Sequence, residues 1–317
     1  MSAALPSPAI ETRDIAKTYG NIVALSDLTL SVGKGEIFGF LGPNGAGKTT
    51  AVKVLLSLTR ATAGRGNVLG QPIGDIEIRR KIGYLPELFR YQEWATAREV
   101  LDFHAALLRL PRAQRKSSIN RVLELVDLSA RANHRVGTFS KGMQQRLGLA
   151  VALVGEPQLV ILDEPTSALD PVGRREVREI IGDLRSSGVT VFLNSHLLSE
   201  VESVCDRIAV LDRGHVIACG GIDELLGGFA LRVRFAKVPA DGVKTLLQQY
   251  SVEIIDCSSY LFHGINEGDV PDFIQRMVYA GARLQSVEPV RSTLEDRFLQ
   301  LLKDERAGPT HSITSSS

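Results

Sequence analysis

The stretch Gly42-Pro43-Asn44-Gly45-Ala46-Gly47-Lys48-Thr49-Thr50 constrains this chain more than any other. It follows the short apolar run EIFGFLG (36–42) and precedes a helical pattern from Lys48 to about Leu58. The expected local structure is therefore strand, glycine-rich loop, helix. The pattern G-x-x-x-x-G-K-[ST] needs its glycines so that backbone N–H groups can curl around phosphate oxygens without Cβ clashes. Lys48 then supplies positive charge to the β- and γ-phosphates, and the Thr49 hydroxyl is placed to ligate Mg2+.

Two further apolar runs end in polar chemistry. QLVILDEP (158–165) reads as a buried strand closing on Asp163 and Glu164, and GVTVFLNSH (188–196) as another closing on His196. Strands alternating with helices imply an α/β domain with a mostly parallel sheet, and such sheets bind ligands at the carboxyl ends of their strands. Alone, the acid pair reads better as a turn that caps the next helix. Below a phosphate loop, Asp163 is expected to hold Mg2+ directly or through water, and Glu164 to polarise the attacking water. His196 is expected to contact the γ-phosphate or that water. A second anion-facing helix start is FSKGMQQR (139–146), a polar, glycine-containing turn that opens a helix.

Composition narrows the class. The 317 residues suggest about two domains, and a formal net charge of +1 gives no global attraction to nucleic acid or anionic membrane. Cys205, Cys219 and Cys257 are odd in number and lack metal-ligand spacing, which fits free thiols in a reducing compartment. No run approaches the ~18 apolar residues of a spanning helix, and MSAALPSPAI lacks the basic and apolar regions of a secretory signal. Any membrane role is expected to come through a partner, without direct insertion.

Residues 8 to about 33 read as strands, with Leu28, Leu30 and Val32 on one face, and residues from about 95 to 155 as mainly helical. After about residue 226 the rhythm changes. Strands at LRVRF, VEIIDC, YLFHGI and RLQSVEP alternate with helices at DGVKTLLQQY and DVPDFIQRMVYAGA, an order βαββαβ that suggests a small ferredoxin-like domain. One more helix, STLEDRFLQLLK, has capping-box spacing between Ser292 and Glu295. The expected domains are 8–225, 226–305 and a polar tail, 306–317, with disordered composition.

GPNGAGKTT, FSKGMQQR, VILDEPTSALD and NSH occur in this order, and together they resemble the ATP-binding cassette family, the nucleotide-binding subunits of ABC transporters. The resemblance covers residues 8 to about 225. It implies a P-loop cassette with an N-terminal antiparallel β subdomain and a helical signature subdomain. It also implies that Gly42, Pro43, Asn44, Gly45, Ala46, Gly47, Lys48, Thr49 and Thr50 cradle ATP. Two cassettes would pair head to tail, as homodimer or heterodimer. Ser140 and the backbone of Gly142 of one copy would then cover the γ-phosphate held by the other. Tyr19, in KTYG, matches the aromatic that stacks on adenine, and SALD (167–170) the loop that crosses the dimer seam. Ser140 also has a plainer use, as the N-cap of its helix.

The chain departs from the family pattern twice. FSKGM stands where Leu-Ser-Gly-Gly-Gln is usual, and Glu87 of GYLPE stands where a glutamine senses γ-phosphate and Mg2+. Both match a bacterial subgroup of exporters, as does the ending STLEDRFLQL, which resembles that of an accessory C-terminal domain. Beside Glu87, Phe89, Tyr91 and Trp94 crowd into six residues. They suit either a groove for a cytoplasmic helix of the membrane partner or ordinary core. The expectation is an ATP-hydrolysing exporter subunit, peripheral on the cytoplasmic face of the plasma membrane beside a separate permease. The alternative is a soluble, non-transport ATPase of the same family, disfavoured because the chain has one cassette, no heptad arm and no metal-spaced cysteines.

Overall fold

The computed structural model describes residues 7–167, 169–226, 229–236, 247, 249–291 and 293–307. They divide into a larger unit running to Gly220, with residues from Asp304, and a smaller one over Gly221–Lys303.

The larger unit is built on two sheets. β1 (Ile10–Tyr19), β2 (Ile22–Val32), β4 (Ala63–Val68) and β5 (Gln71–Pro72) form an antiparallel sheet in the order β2-β1-β4-β5. The second sheet holds β3 (Ile37–Leu41), β6 (Ile82–Leu85), β7 (Leu159–Asp163), β8 (Thr190–Asn194), β9 (Arg207–Asp212) and β10 (His215–Gly221), in the order β10-β9-β3-β8-β7-β6. Its strands β9, β3, β8, β7 and β6 run parallel. Every residue of β3, β7 and β8 is buried, which explains why they read as continuous apolar runs rather than alternating ones.

The two faces of β3 are used differently. Phe38 stacks on Phe192 of β8 and Phe40 lies tilted against it, with ring centroids 5.8 and 5.2 Å apart. Each such ring contributes on the order of 1.5–3 kcal/mol by burial. Between them Gly39 faces the other way. A Cβ there would meet Val201 and Ile208 side chains at 2.8 Å, so only glycine lets α6 (Leu198–Val204) lie this close to the sheet.

The connecting helices are α1 (Lys48–Leu55), α2 (Ala97–Leu107), α3 (Arg112–Leu125), α4 (Lys141–Leu153) and α5 (Pro171–Ser186). α1 stops three residues short of the expected Leu58, where Ser57 turns to φ 57°. α2 opens with a full capping box: Thr96 Oγ1 accepts from the Glu99 N–H while the Glu99 carboxylate accepts from the Thr96 N–H.

The smaller unit starts with the short α7 (Ile222–Leu225). It carries β11 (Phe229–Phe235), β12 (Ser251–Ile254), β13 (Ser259–His263) and β14 (Leu284–Arg291) as one antiparallel sheet, ordered β12-β13-β11-β14. Leu231, Val233, Tyr260 and Phe262 of its inner face pack against Phe273 and Met277 of α8 (Val270–Tyr279). The helix expected over DGVKTLLQQY lies largely outside the described residues, as does the tail from 308. The last helix, α9 (Leu294–Ala307), corrects the expected cap. Thr293 and Asp296 make the reciprocal bonds, one residue later than the Ser292–Glu295 pair, which relied on spacing that Thr293 satisfies equally; Ser292 itself lies outside the described residues.

Candidate functional site

Sheet register assembles the site. β3 leads through Leu41 into the loop 42–47, and α1 starts at Lys48. Gly47 occupies the N-cap at φ 106°, with no side-chain cap and no acid in the first turn of α1. The first N–H groups of the helix therefore face the loop with the positive end of the helix dipole behind them. A Cβ on Gly47 would lie 2.3 Å from the Ala24 carbonyl oxygen. Lys48 is buried, and its Nζ donates to the carbonyls of Gly42 (2.5 Å) and Pro43 (3.2 Å). Burial holds its ammonium below the usual lysine range, while Glu164, Asp163 and Glu87 pull it back up. Asn44, Gly45 and Thr49 are exposed.

Asp163 ends β7 directly opposite Asn194, which ends β8. Asn194 Nδ2 donates to Asp163 Oδ1 at 2.5 Å. Burial pushes the Asp163 carboxyl above its ordinary pKa; the Asn194 bond opposes this, Glu87 and Glu164 add to it, and Lys48 offsets part. Glu164 follows in the left-handed region (φ 54°), and its N–H donates to the Asn194 carbonyl at 2.8 Å. Its buried Oε2 lies 2.6 Å from Nδ1 of the half-exposed His196, a close approach without the angle of a hydrogen bond. Leu85, at the end of β6, pairs with Leu162, so Glu87, two residues on, emerges beside Asp163. Tyr84 senses both acids: burial, then Asp163 and Glu87, push its phenol up to about 12.

The fold thus gathers Lys48, Glu87, Asp163, Glu164 and His196 at neighbouring strand ends. It does not bring the Ser140 turn to them by any hydrogen bond or ion pair among the described residues. Ser140 caps α4, its Oγ accepting from the Met143 N–H at 3.2 Å, and Ser140 and Lys141 are exposed. A Cβ on Gly142 would sit 3.4 Å from Leu169, in the loop after Glu164. Tyr19 is 45% exposed at the end of β1, with Lys17 Nζ 4.7 Å from its ring centroid. Phe89 and Tyr91 pack together, with Tyr91 also edge-on to His104, whereas Trp94 is 73% exposed. His263 half-faces solvent 3.8 Å from Glu253. Among the described residues no disulfide joins Cys205, Cys219 and Cys257, and burial pushes the Cys205 thiol up.

Three contributors escaped the sequence reading. Asn194 holds Asp163; its only signal was a polar residue closing an apolar strand. Gln145 Nε2 donates to the Pro165 carbonyl at 2.8 Å and ties α4 to the acidic loop. Glu200 is buried against Thr166. Gln145 sits in the turn-and-helix start 139–146 and Glu200 in a stretch that carries no recognised motif.

Comparison with known proteins gives a consistent setting. Residues 25–167 match the model of the family described as ABC transporter. The chain is 40% identical over 304 residues to an uncharacterized ABC transporter ATP-binding protein of Synechocystis sp., covering 93% of this chain and 85% of that one. It is 35% identical over 299 residues to the Nod factor export ATP-binding protein I of Rhizobium etli, covering 92% and 93%. Among solved structures it resembles the dimeric post-hydrolysis state of the ATP-binding cassette MJ0796 bound to ADP and Pi. The TM-score is 0.62 at 27% identity, over 67% of this chain and 98% of that one.

Proposed function

We propose how this chain works from one premise: it belongs to the ABC transporter family, as an ATP-binding subunit whose ATP hydrolysis drives transport. The observation that carries the mechanism is the meeting of Lys48, Asp163, Glu164 and His196 at adjacent strand ends. In this reading the residues 42–50 wrap the phosphates and Lys48 stabilises charge on the β- and γ-oxygens. Tyr19, its ring 45% exposed, stacks on the adenine.

Glu164 accepts a proton from the attacking water as the water oxygen bonds to the γ-phosphorus. The bond to the β–γ bridging oxygen breaks, and ADP and phosphate leave. His196 orients Glu164 and contacts the γ-phosphate. The donor set fits Mg2+. Asp163, Glu87 and Glu164 crowd three carboxylates around one ammonium, an excess of negative charge that a divalent cation offsets. Mg2+ is commonly held through one or two carboxylates together with substrate phosphates. Thr49, Asp163 and Glu87 would hold it, and it would supply charge neutralisation at the β- and γ-oxygens.

The exposed Ser140–Gly142 turn supports pairing with a second cassette, homologous or identical, whose nucleotide it covers through its N–H groups and the helix dipole. ATP then holds the pair closed, and its hydrolysis removes that contact. Among the described residues no helix is long and apolar enough to cross a membrane, which supports a separate permease that the chain joins peripherally. The relative named for Nod factor export supports export as the direction. The smaller unit is an accessory domain in this reading. Light scattering tests the pairing. Glu164→Gln protein with ATP should run at twice the monomer mass and return to monomer when Ser140 is also replaced by Arg. A Glu164→Gln protein that stays monomeric with ATP at high concentration, alone and with its permease and cognate cassette, would overturn it.

A further inference from the structure

The loop that follows Glu164 is gripped from three sides. From α4, Gln145 reaches the Pro165 carbonyl. At its far end Asp170 caps α5 through the Gly173 N–H at 2.8 Å. The third grip comes from α6 and has no assigned role. Because Gly39 leaves no side chain on its face of β3, Val201 seats deeply and carries its neighbour Glu200 into the interior, 6% exposed. A buried carboxylate is costly unless donors meet it. Here Thr166, itself 1% exposed, donates its hydroxyl to Glu200 Oε2 at 2.5 Å. Oε1 stands 3.9 Å from Nε of Arg174, at ion-pair rather than hydrogen-bond range, and that same Nε donates to the Leu169 carbonyl at 3.1 Å.

Glu200 therefore touches the loop twice, directly at Thr166 and through Arg174 at Leu169. The first contact lies two residues beyond Glu164. The second fixes the residue whose side chain borders Gly142. Along the chain, Glu200 lies four residues beyond His196, which sits just before α6. We propose that Glu200 is a positioning residue for ATP hydrolysis, holding the loop at Thr166 and Leu169 so that Glu164 stays aligned with His196 and the Leu169 side chain stays seated beside Gly142. This rests on the proposed role of Glu164 as the base.

The test uses the full-length chain and isosteric changes. Thr166→Val removes the hydroxyl without changing shape, Thr166→Ser keeps it, and Glu200→Gln keeps an acceptor for it. Thr166→Val should lower kcat for ATP about 10- to 100-fold, the scale of a small misplacement of a reacting group, with KM and fluorescent-ATP affinity within about twofold. Thr166→Ser should stay within about threefold of wild type, and Glu200→Gln, which keeps the acceptor for Thr166 but loses the charge facing Arg174, should fall between Thr166→Ser and Thr166→Val. Adding Thr166→Val to Glu200→Ala should lower kcat no further, because residues acting as a unit are non-additive. Wild-type kcat in Thr166→Val would overturn the proposal. So would parallel losses in kcat, ATP affinity and melting temperature, the mark of a merely structural contact. Glu164→Gln run alongside separates the two readings. If it turns over normally, the assignment of Glu164 fails; if it is dead while Thr166→Val is normal, only Glu200 loses its role.

Discussion

His196 Nδ1 lies 2.6 Å from Glu164 Oε2, although the two residues follow different strands, β7 and β8. Glu164 is anchored through its own N–H to the Asn194 carbonyl, two residues before His196, so main-chain pairing between β7 and β8 sets the side-chain distance. Removing the carboxylate charge should stop the base while leaving the phosphate loop intact. Glu164→Gln is expected to lower steady-state phosphate release by about 100- to 10,000-fold, the range for general-base loss. His196→Ala should cost about 100-fold. Both should bind a fluorescent ATP analogue within about threefold of wild type, and near-normal turnover in either removes that residue from the mechanism.

Gly47 gives a prediction about folding and binding together. Its φ of 106° is a conformation side chains rarely adopt, and an added Cβ would sit 2.3 Å from the Ala24 carbonyl. Gly47→Ala carries about 1–3 kcal/mol of backbone strain, and the clash with main chain must also move β2 or the loop. Thermal melting should fall by several degrees, and ATP affinity by more than tenfold if the start of α1 holds the phosphates as proposed. A variant with wild-type melting and affinity would show that the loop is built some other way.

The legibility of this molecule in its sequence followed the range of the interactions. The loop 42–47 was readable because strand, glycines and helix start are contiguous, and Gly45 and Gly47 take the positive φ that favours glycine. Asp163, Glu164 and His196 were readable because buried parallel strands are apolar throughout, so a polar residue at a strand end stands out. Glu200 was not: it lies 34 residues from Thr166, in a segment that carries no recognised motif. Its burial depends on the close approach that Gly39 permits from a strand far earlier in the chain. The shifted cap of α9 has a simpler cause, since Ser292 and Thr293 both precede an acid by three residues and only packing chooses between them.

The helical segment carries its own pH response. Burial lowers the pKa of His104 from 6.5, so below that value the unfolded chain takes up the proton more readily than the folded one. The sign follows: His104 leaves stability untouched above about pH 6.5, and its neutral packing against Tyr91 and Phe103 is lost progressively as pH falls through its lowered native pKa. His104→Phe keeps an aromatic ring there and removes the proton. Its melting temperature should drop less than that of wild type between pH 7.5 and 5.5. The difference should be about 2 °C or less, because the ring is only partly buried. Parallel curves for the two proteins would show that His104 titrates alike in both states.

The aromatic run after Glu87 separates into two populations. Phe89 presses so closely on α4 that a Cβ on Gly148 would meet its ring at 2.7 Å, and Tyr91 is buried enough to push its phenol up. These two are partly buried and pack within the helical segment. Leu88 and Trp94 face outward at 86% and 73% exposure, and nothing in the smaller residues around them explains so large an apolar commitment to solvent. A tryptophan at an interface centre commonly contributes 2 kcal/mol or more, about a 30-fold change in affinity. Trp94→Ala should therefore melt within about 1 °C of wild type and bind ATP normally. It should also recover on the order of tenfold less membrane subunit when the two are co-expressed and purified through this chain. Phe89→Ala, by contrast, should lose several degrees of melting temperature through the cavity it leaves beside α4. Equal recovery of the membrane subunit by a stably folded Trp94→Ala would place the docking surface elsewhere.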